Sequence, residues 1–377
     1  MLGATRIAVN SRGYNETGWL HDFSPMKTDQ LPAAVRALLR AGTVIPAHLL
    51  ALDASRRLDR RRQRALSRYY LDAGAGGLAV GVHATQFAIR EAGLYLEVLE
   101  LAAEETRTWD SGGVRRPVVL VAGLSGGTAQ ARNEAAIARG LGYHVGMLSL
   151  VAMKSAGVDE LIAHCTAVAA EIPLVGFYLQ PAVGGIHLPV EFWRRFCSVD
   201  NVIAVKVAPF NRYRTLDVVK GLVAARAEDR VTLYTGNDDH IVLDLLAPLA
   251  VRRDGEEVRV RIKGGLLGHW SVWTRRAVEL LERIQKCTQV DEEILALDSK
   301  VTDANSAFFD VAHNFSGCIA GCHEVLRRQG LLEGIWCLDP KEGLSPGQAD
   351  EIDRVYAAYP EMNDDAFVRG NLKKWLC

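Results

Sequence analysis

From residue 43 the chain alternates short β-branched runs with longer amphipathic stretches, and no other feature restricts its fold as much. Each such βα unit returns the next strand parallel to the last, so a series of them builds a parallel sheet with helices outside it. Seven runs are plain: Thr43-Val-Ile-Pro-Ala47, Gly77-Leu-Ala-Val-Gly81, Pro117-Val-Val-Leu-Val-Ala122, Val145-Gly-Met-Leu148, Pro173-Leu-Val-Gly-Phe-Tyr178, Val202-Ile-Ala-Val-Lys206 and Val231-Thr-Leu-Tyr-Thr235. An eighth lies between Val258 and Gly268. Eight units in about 250 residues predict an α/β fold, a closed (β/α)8 TIM barrel with a C-terminal helical extension. A doubly wound sheet would bring fewer strands and a glycine-rich phosphate turn after the first, and none follows Ala47.

The segments around the barrel follow from the same pattern. Residues 1–41 read as a polar arm and a short helix from Leu31 to Ala41, residues 42–286 as the barrel, and residues 287–377 as a helical region. In that last region Ser316 to Gln329 is the clearest helix, with Gly330 as its stop. Ala250 to Ile262 alternates apolar and charged residues around Asp254-Gly255, the pattern of a hairpin with one wet face. It is expected as an insertion at 250–261, ahead of a last barrel strand from Ile262 to Gly268. The arginine cluster between Ser55 and Arg64 sits beside Leu58, Leu66, Tyr69 and Ala73 at helical intervals. That spacing puts the arginines on the outward face of the first barrel helix, with a subunit contact or an anion site as the alternatives.

The 44 basic and 45 acidic residues nearly cancel to a net charge of -1, so no global field favours nucleic acid or an anionic membrane. A small-molecule substrate is expected instead. No run of about 18 apolar residues is present, and Met1 to Gln30 lacks the layout of a signal peptide, which together predict a cytoplasmic location. Seven cysteines, an odd number without paired short spacings, predict free thiols. Cys318 and Cys322 lie one helical turn apart beside His323, a poor zinc set, and are expected to pack in a core. Neither a metal nor a cofactor is predicted.

In a barrel of this kind the active site lies where the strands end. Those ends hold His48, Val82 with His83, Ser125 with Gly126 and Gly127, Ser149, Tyr178 with Gln180, Lys206, Asn237 with Asp238, and His269. Lys206 is the most informative of them, the one charged residue in the apolar run Asn201-Val-Ile-Ala-Val-Lys-Val-Ala208. Burial lowers the pKa of an ammonium, and a neutral amine attacks a carbonyl to form a Schiff base. The plain alternative is a lysine that snorkels its head into water. Strand alternation groups Lys206 with Val202 and Ala204. Tyr178, closing the preceding strand, has a phenol able to donate and accept protons in turn, although a strand-end tyrosine also serves simple packing. His48, His83 and His269 read as proton carriers, carboxylate binders or satisfied core residues. Asp238 and Asp239 are as suited to capping the next helix as to touching substrate.

With a lysine on strand six, a tyrosine on strand five and a helical tail, the chain resembles the dihydrodipicolinate synthase and N-acetylneuraminate lyase superfamily of Schiff-base aldolases over roughly residues 40 to 365. Tyr178-Leu-Gln-Pro181 is similar to that family's Tyr-Asn-x-Pro, and Asn201 to Lys206 to its Asn-x-x-Gly-Ile-Lys. Gly236-Asn-Asp238 resembles the family's Gly-x-Asp, and Ala73 to Gly81 the run into its second strand. The resemblance implies Lys206 as the imine-forming lysine, Tyr178 as the proton relay, and a homotetramer built from dimers, with a homodimer favoured by the altered contact residues. Departures stand beside these matches. Where the family has Gly-Thr-Thr-Gly-Glu, this chain has Gly81-Val-His-Ala-Thr-Gln86, which leaves His83 or Thr85 to replace the lost hydroxyls. Val183 stands where an arginine commonly pairs a second carboxylate. The tyrosine lent by a neighbouring subunit is not apparent near Ser149.

A lyase of the aldolase or dehydratase type, acting on a small keto acid or aldehyde, is therefore the expected function, and one distinct from dihydrodipicolinate synthase itself. Lys206, Tyr178 and His83 are the expected catalytic residues. His48, Gly81, Val82, Gln180, Gly236, Asn237 and His269, with the turn from Gly123 to Gly127, are expected to shape the substrate pocket. Two other classes remain open: a barrel that binds a keto acid or sugar without turning it over, and a metal-dependent hydrolase using His48, His83 and Asp238.

Overall fold

A computed structural model describes residues 25–110, 112–113 and 116–377. Most of the expected N-terminal arm, and most of the stretch read for a signal peptide, lie outside the described residues. The barrel strands are Val44–Pro46 (β1), Gly77–Val80 (β2), Val119–Leu124 (β3), Val145–Leu148 (β4), Leu174–Leu179 (β5), Val202–Ala208 (β6) and Thr232–Thr235 (β7). The hairpin strands Leu249–Arg253 (β8) and Glu256–Val260 (β9) come next, and Ile262–Leu267 (β10) completes the ring. All eight barrel strands pair in parallel in the order β1-β10-β7-β6-β5-β4-β3-β2. A parallel bridge between Ala47 and Ala79 joins β1 to β2, so the sheet closes as the (β/α)8 barrel expected.

The helices through the barrel are Ala33–Ala41 (α1), Arg60–Ala73 (α2), Tyr95–Thr108 (α3), Thr128–Gly140 (α4), Val158–Ala169 (α5), Val190–Cys197 (α6), Arg212–Ala224 (α7), Ile241–Leu246 (α8) and Thr274–Lys286 (α9). Glu292–Phe308 (α10), Cys318–Arg328 (α11), Gln348–Ala358 (α12) and Asp365–Trp375 (α13) follow the barrel. The hairpin turns through Asp254 at φ 54° and Gly255 at φ 86°, the two left-handed residues that a tight hairpin turn requires. Helix α11 starts at Cys318, two residues later than its pattern suggested, after a turn through Asn314 and Phe315 at φ 54° and 67°.

Two apolar layers result from strand alternation. Ile45, Val121, Val145, Val175, Phe177 and Tyr234 point into the barrel, where Leu31, Val35 and Leu39 join them. The Tyr234 hydroxyl donates to the Leu39 carbonyl at 2.9 Å, so α1 plugs the end where the strands begin. Leu78, Leu120, Leu174 and Val205 point outward against the helices. The register between β5 and β6 shifts between Leu174 and Val175, pairing them with Val202 and Ala204. This bulge adds one residue to β6, so Ile203 and Ala204 both face inward while Val202 faces the helices. Lys206 therefore shares its face with Ala204 and Ala208, and Val202 does not belong there as alternation alone suggested.

Helix α2 explains the arginine cluster. Asp59 caps its first turn by accepting from the Arg62 amide at 3.0 Å, and Gly74 ends it at φ 100°. Arg64 and Arg68 reach Glu105 of α3 at 2.7 and 2.8 Å, and Arg60 pairs with Glu97. Arg62 donates to the Gly330 carbonyl at 2.8 Å and Arg68 to that of Trp375 at 2.7 Å. These arginines join the barrel to the C-terminal helices and are engaged rather than simply solvated. All seven cysteines are free, and no described helix is long and apolar enough to cross a membrane.

Candidate active site

A cavity opens at the carboxyl ends of the strands, the concave setting in which small molecules bind. Lys206, near the end of β6, reaches into it with only 8 % of its surface exposed. Its ammonium lies 4.6 Å from the centre of the Phe177 ring, which partly offsets the lost hydration. Gly236 makes the side chain's path possible, since a Cβ there would stand 2.4 Å from Lys206 Cε. Burial lowers the lysine pKa to about 8, against an opposing pull from the charge of Asp238. Asp238 is buried in the same wall, and its carboxyl is pushed up to about 7 by burial, opposed by the His269 amide and the Lys206 charge. Amine and carboxyl thus titrate within reach of neutral pH in one apolar pocket.

The sequence left Asp238 open between capping the next helix and touching substrate. The capping position is filled from elsewhere: Asp298 of α10 accepts from the Val242 and Leu243 amides at 3.1 Å each. Asp238 instead accepts from the His269 backbone amide at 2.8 Å, which holds its carboxyl at the pocket. The glycine before it and its place at a strand end were visible signals. The substitute cap, 60 residues away, was not.

Tyr178 is not brought to the amine. Leu174, Gly176 and Tyr178 form the outward face of β5, and the Tyr178 ring packs 5.3 Å from Trp193 of α6. Its hydroxyl accepts from the Leu188 amide at 3.3 Å. Phe177, the neighbour that pairs in register with Lys206, takes the inward place. Successive residues of a strand face opposite sides, and here the inward place falls to a phenyl ring where a phenol was expected. Tyr178→Phe should accordingly leave the rate of imine formation at Lys206 within about twofold, while losing one buried hydrogen bond worth about 1 kcal/mol of stability. Hydride trapping and urea denaturation measure the two effects separately.

The other expected residues divide in the same way. His83, Val82, Gln180 and Gly236 line the cavity, as does Val183. Burial, with a smaller push from Lys206, lowers His83 to about 4 and keeps its ring neutral. His48 does not line the cavity: it is fully buried, with Nδ1 2.9 Å from the Leu49 carbonyl and Nε2 2.8 Å from Ser67 Oγ. Asn237 is a clamp, accepting from the Phe210 amide at 3.0 Å and donating to Asp244 at 2.9 Å. The His269 ring lies against Phe308 and Asn305, so its backbone rather than its imidazole serves the site. Gly81 turns the chain at φ 76° without lining the cavity. Thr85 is occupied within that turn, accepting from the Gly81 amide at 3.0 Å and donating to the His48 carbonyl at 2.6 Å. Nor do Ser149 or the turn from Gly123 to Gly127 line the cavity; the Ser125 amide donates to Glu134 at 3.0 Å.

The C-terminal region supplies a wall that strand ends alone did not reveal. Phe309, Phe315, Cys318, Ile319 and Cys322 all line the cavity, together with Phe210 from the loop after β6. Burial raises both thiols, so they are protonated lining rather than nucleophiles. Among the described residues, no three His, Cys, Asp or Glu side chains are grouped to hold a metal ion. That removes the geometric basis for a hydrolase built on His48, His83 and Asp238.

The chain thus combines a closed barrel, a buried lysine near the end of β6 and a set of helices after the last strand. The chain belongs to the Dihydrodipicolinate synthetase family, whose profile it matches over residues 40–248. Comparison with curated protein sequences gives no match. Among solved structures it is similar to the 4-hydroxy-tetrahydrodipicolinate synthase of Methylacidiphilum fumariolicum SolV, with a TM-score of 0.70, 16% identity, and 87% of this chain and 98% of that one covered. The pyruvate-complexed dihydrodipicolinate synthase of Acinetobacter baumannii aligns with a TM-score of 0.68 at 15% identity, covering 84% and 98%. CdNal from Clostridium difficile, solved with mannosamine, aligns with a TM-score of 0.67 at 16% identity, covering 84% and 99%. Family and fold together support a lyase of the aldolase type in general.

Proposed function

We propose that this protein is a lyase that acts on a small carbonyl compound by forming a Schiff base at Lys206. The observation that carries the reading is the Lys206 amine, buried in an apolar pocket at the carboxyl end of β6 and lowered to about 8. The neutral amine adds to the carbonyl carbon, and the carbinolamine loses its protonated oxygen as water to leave an iminium. In retro-aldol cleavage the iminium accepts the electron pair of the Cα-Cβ bond while the β-hydroxyl gives up its proton; in dehydration it accepts the pair of the α C-H bond, and the enamine so formed expels the protonated β-oxygen as water. The proton relay passes to Asp238, whose carboxyl at about 7 has both protonation states populated near neutral pH. His83, neutral at that pH, offers the substrate one hydrogen bond from its ring.

Val82 and Val183 in the lining support an activity other than dihydrodipicolinate synthesis, since neither offers a donor to a dicarboxylate. Family membership also supports a homodimer or homotetramer. A barrel that only binds its ligand is disfavoured by the cost of keeping an amine and a carboxyl together out of water. The test is reductive trapping: incubation with a panel of aldehydes and keto acids under cyanoborohydride, followed by peptide mass mapping. The expected result is a reduced adduct on the peptide containing Lys206 in preference to every other lysine. Adducts spread evenly over surface lysines would sink the proposal.

A further inference from the structure

Few of the side chains that line the cavity are polar. Lys206, Asp238, His83 and Gln180 are its charged and hydrogen-bonding side chains, and the rest of its side-chain lining is aliphatic, aromatic or thiol. The aromatic part of that lining is built from separate elements. Phe210, held at φ 50°, meets Phe315, held at φ 67°, with ring centres 5.9 Å apart and an edge-to-face tilt. One ring comes from the loop after β6 and the other from the loop before α11, so the pair joins the barrel to the C-terminal helices across the site. Phe309 lies against Gly268, where a Cβ would stand 2.6 Å from its ring, so the backbone is pared to admit the phenyl. A hydroxylated or doubly charged substituent would lose its water here and find neither guanidinium nor hydroxyl in return.

We propose that the carbonyl substrate of Lys206 carries an aryl or similarly bulky apolar substituent, seated among Phe210, Phe309 and Phe315. This rests on the Schiff-base reading for the chemistry and on the lining alone for the substituent. The amine nitrogen bonds to the carbonyl carbon and one water leaves; in the assay cyanoborohydride then supplies the hydride that reduces the iminium to a secondary amine. Burying a phenyl group against three rings favours it over a polar group of similar size by at least about tenfold.

The test compares benzaldehyde, glyceraldehyde and succinic semialdehyde for trapping at Lys206, each rate divided by that on free Nα-acetyl-lysine to remove intrinsic reactivity. The expected normalised rate for benzaldehyde exceeds the other two by about tenfold or more, and Phe315→Arg narrows that preference. Equal or larger values for the polar aldehydes in the wild-type protein overturn the proposal whatever the variant does. A second measurement needs no covalent step: saturation-transfer NMR of benzyl alcohol and 4-hydroxybutyrate with Lys206→Ala protein. Benzyl alcohol should show transfer that weakens when Phe315→Arg is added, and 4-hydroxybutyrate should not; no transfer to benzyl alcohol counts against the apolar seat. Binding of benzyl alcohol without any adduct at Lys206 would remove the imine reading and keep the substrate class. Adducts at Lys206 without aryl preference would do the reverse.

Discussion

In Lys206→Ala protein the fast phase of reductive trapping is expected to vanish, leaving only labelling at the rate of an ordinary exposed lysine. At pH 7 an amine with a pKa of about 8 is neutral about 300 times more often than one at 10.5. Its lower basicity trims its nucleophilicity by a factor of about 10 to 20, so the fast phase should run about 20-fold ahead of the background. The wild-type rate should climb with pH through about 8 and level off above it. Stability has its own sign: between about 8 and 10.5 the unfolded chain binds the proton that folded Lys206 has released, so stability rises with pH across that window. The burden of the buried ammonium is present in full below about 8. A trapping rate that instead climbs through 10 would show an ordinary, solvated lysine. The rate is measured with the fastest carbonyl compound of the panel, from pH 6 to 10.5, with circular dichroism as the check on folding.

Asp238→Asn is expected to slow imine formation at pH 7 by about 100-fold, in line with the loss of a general acid-base group. The amide is close in shape and still accepts from the His269 backbone, so the fold should persist. Because the Asp238 charge raises the Lys206 pKa, its removal should also move the trapping inflection below about 8. The two effects separate chemistry from electrostatics, since an altered inflection without a slower plateau would assign Asp238 to tuning alone. An unchanged rate and inflection together would place the proton carrier elsewhere, with His83 the next residue to replace.

Strand positions came through the sequence well because each barrel strand is a short apolar run bounded by polar segments. The hairpin was equally visible, its Asp254-Gly255 pair being what a tight turn between alternating strands demands. Lys206 stood out for a reason independent of register, since a charge inside an apolar run is costly whichever way it points. Four of the residues expected at the pocket, His83, Val82, Gln180 and Gly236, follow the strand ends that the repeat itself located.

What a side chain faces was decided elsewhere. Facing depends on a period of two, so a bulge at Ile203 and the pairing of Phe177 with Lys206 moved Val202 and Tyr178 out of the site without altering any motif. Asp238 lines the pocket, held by the His269 amide, while Asp298, far along the chain, caps α8. Phe309 and Phe315 belong to the site because the C-terminal helices dock on the barrel through the arginines of α2, a contact between segments almost 270 residues apart. Local pattern therefore determined the elements, their order and the lysine, each set by the transfer energy of a short stretch of chain. The tertiary structure decided the place of Asp238 in the pocket and the aromatic wall, because those depend on register and on long-range packing that no short stretch encodes.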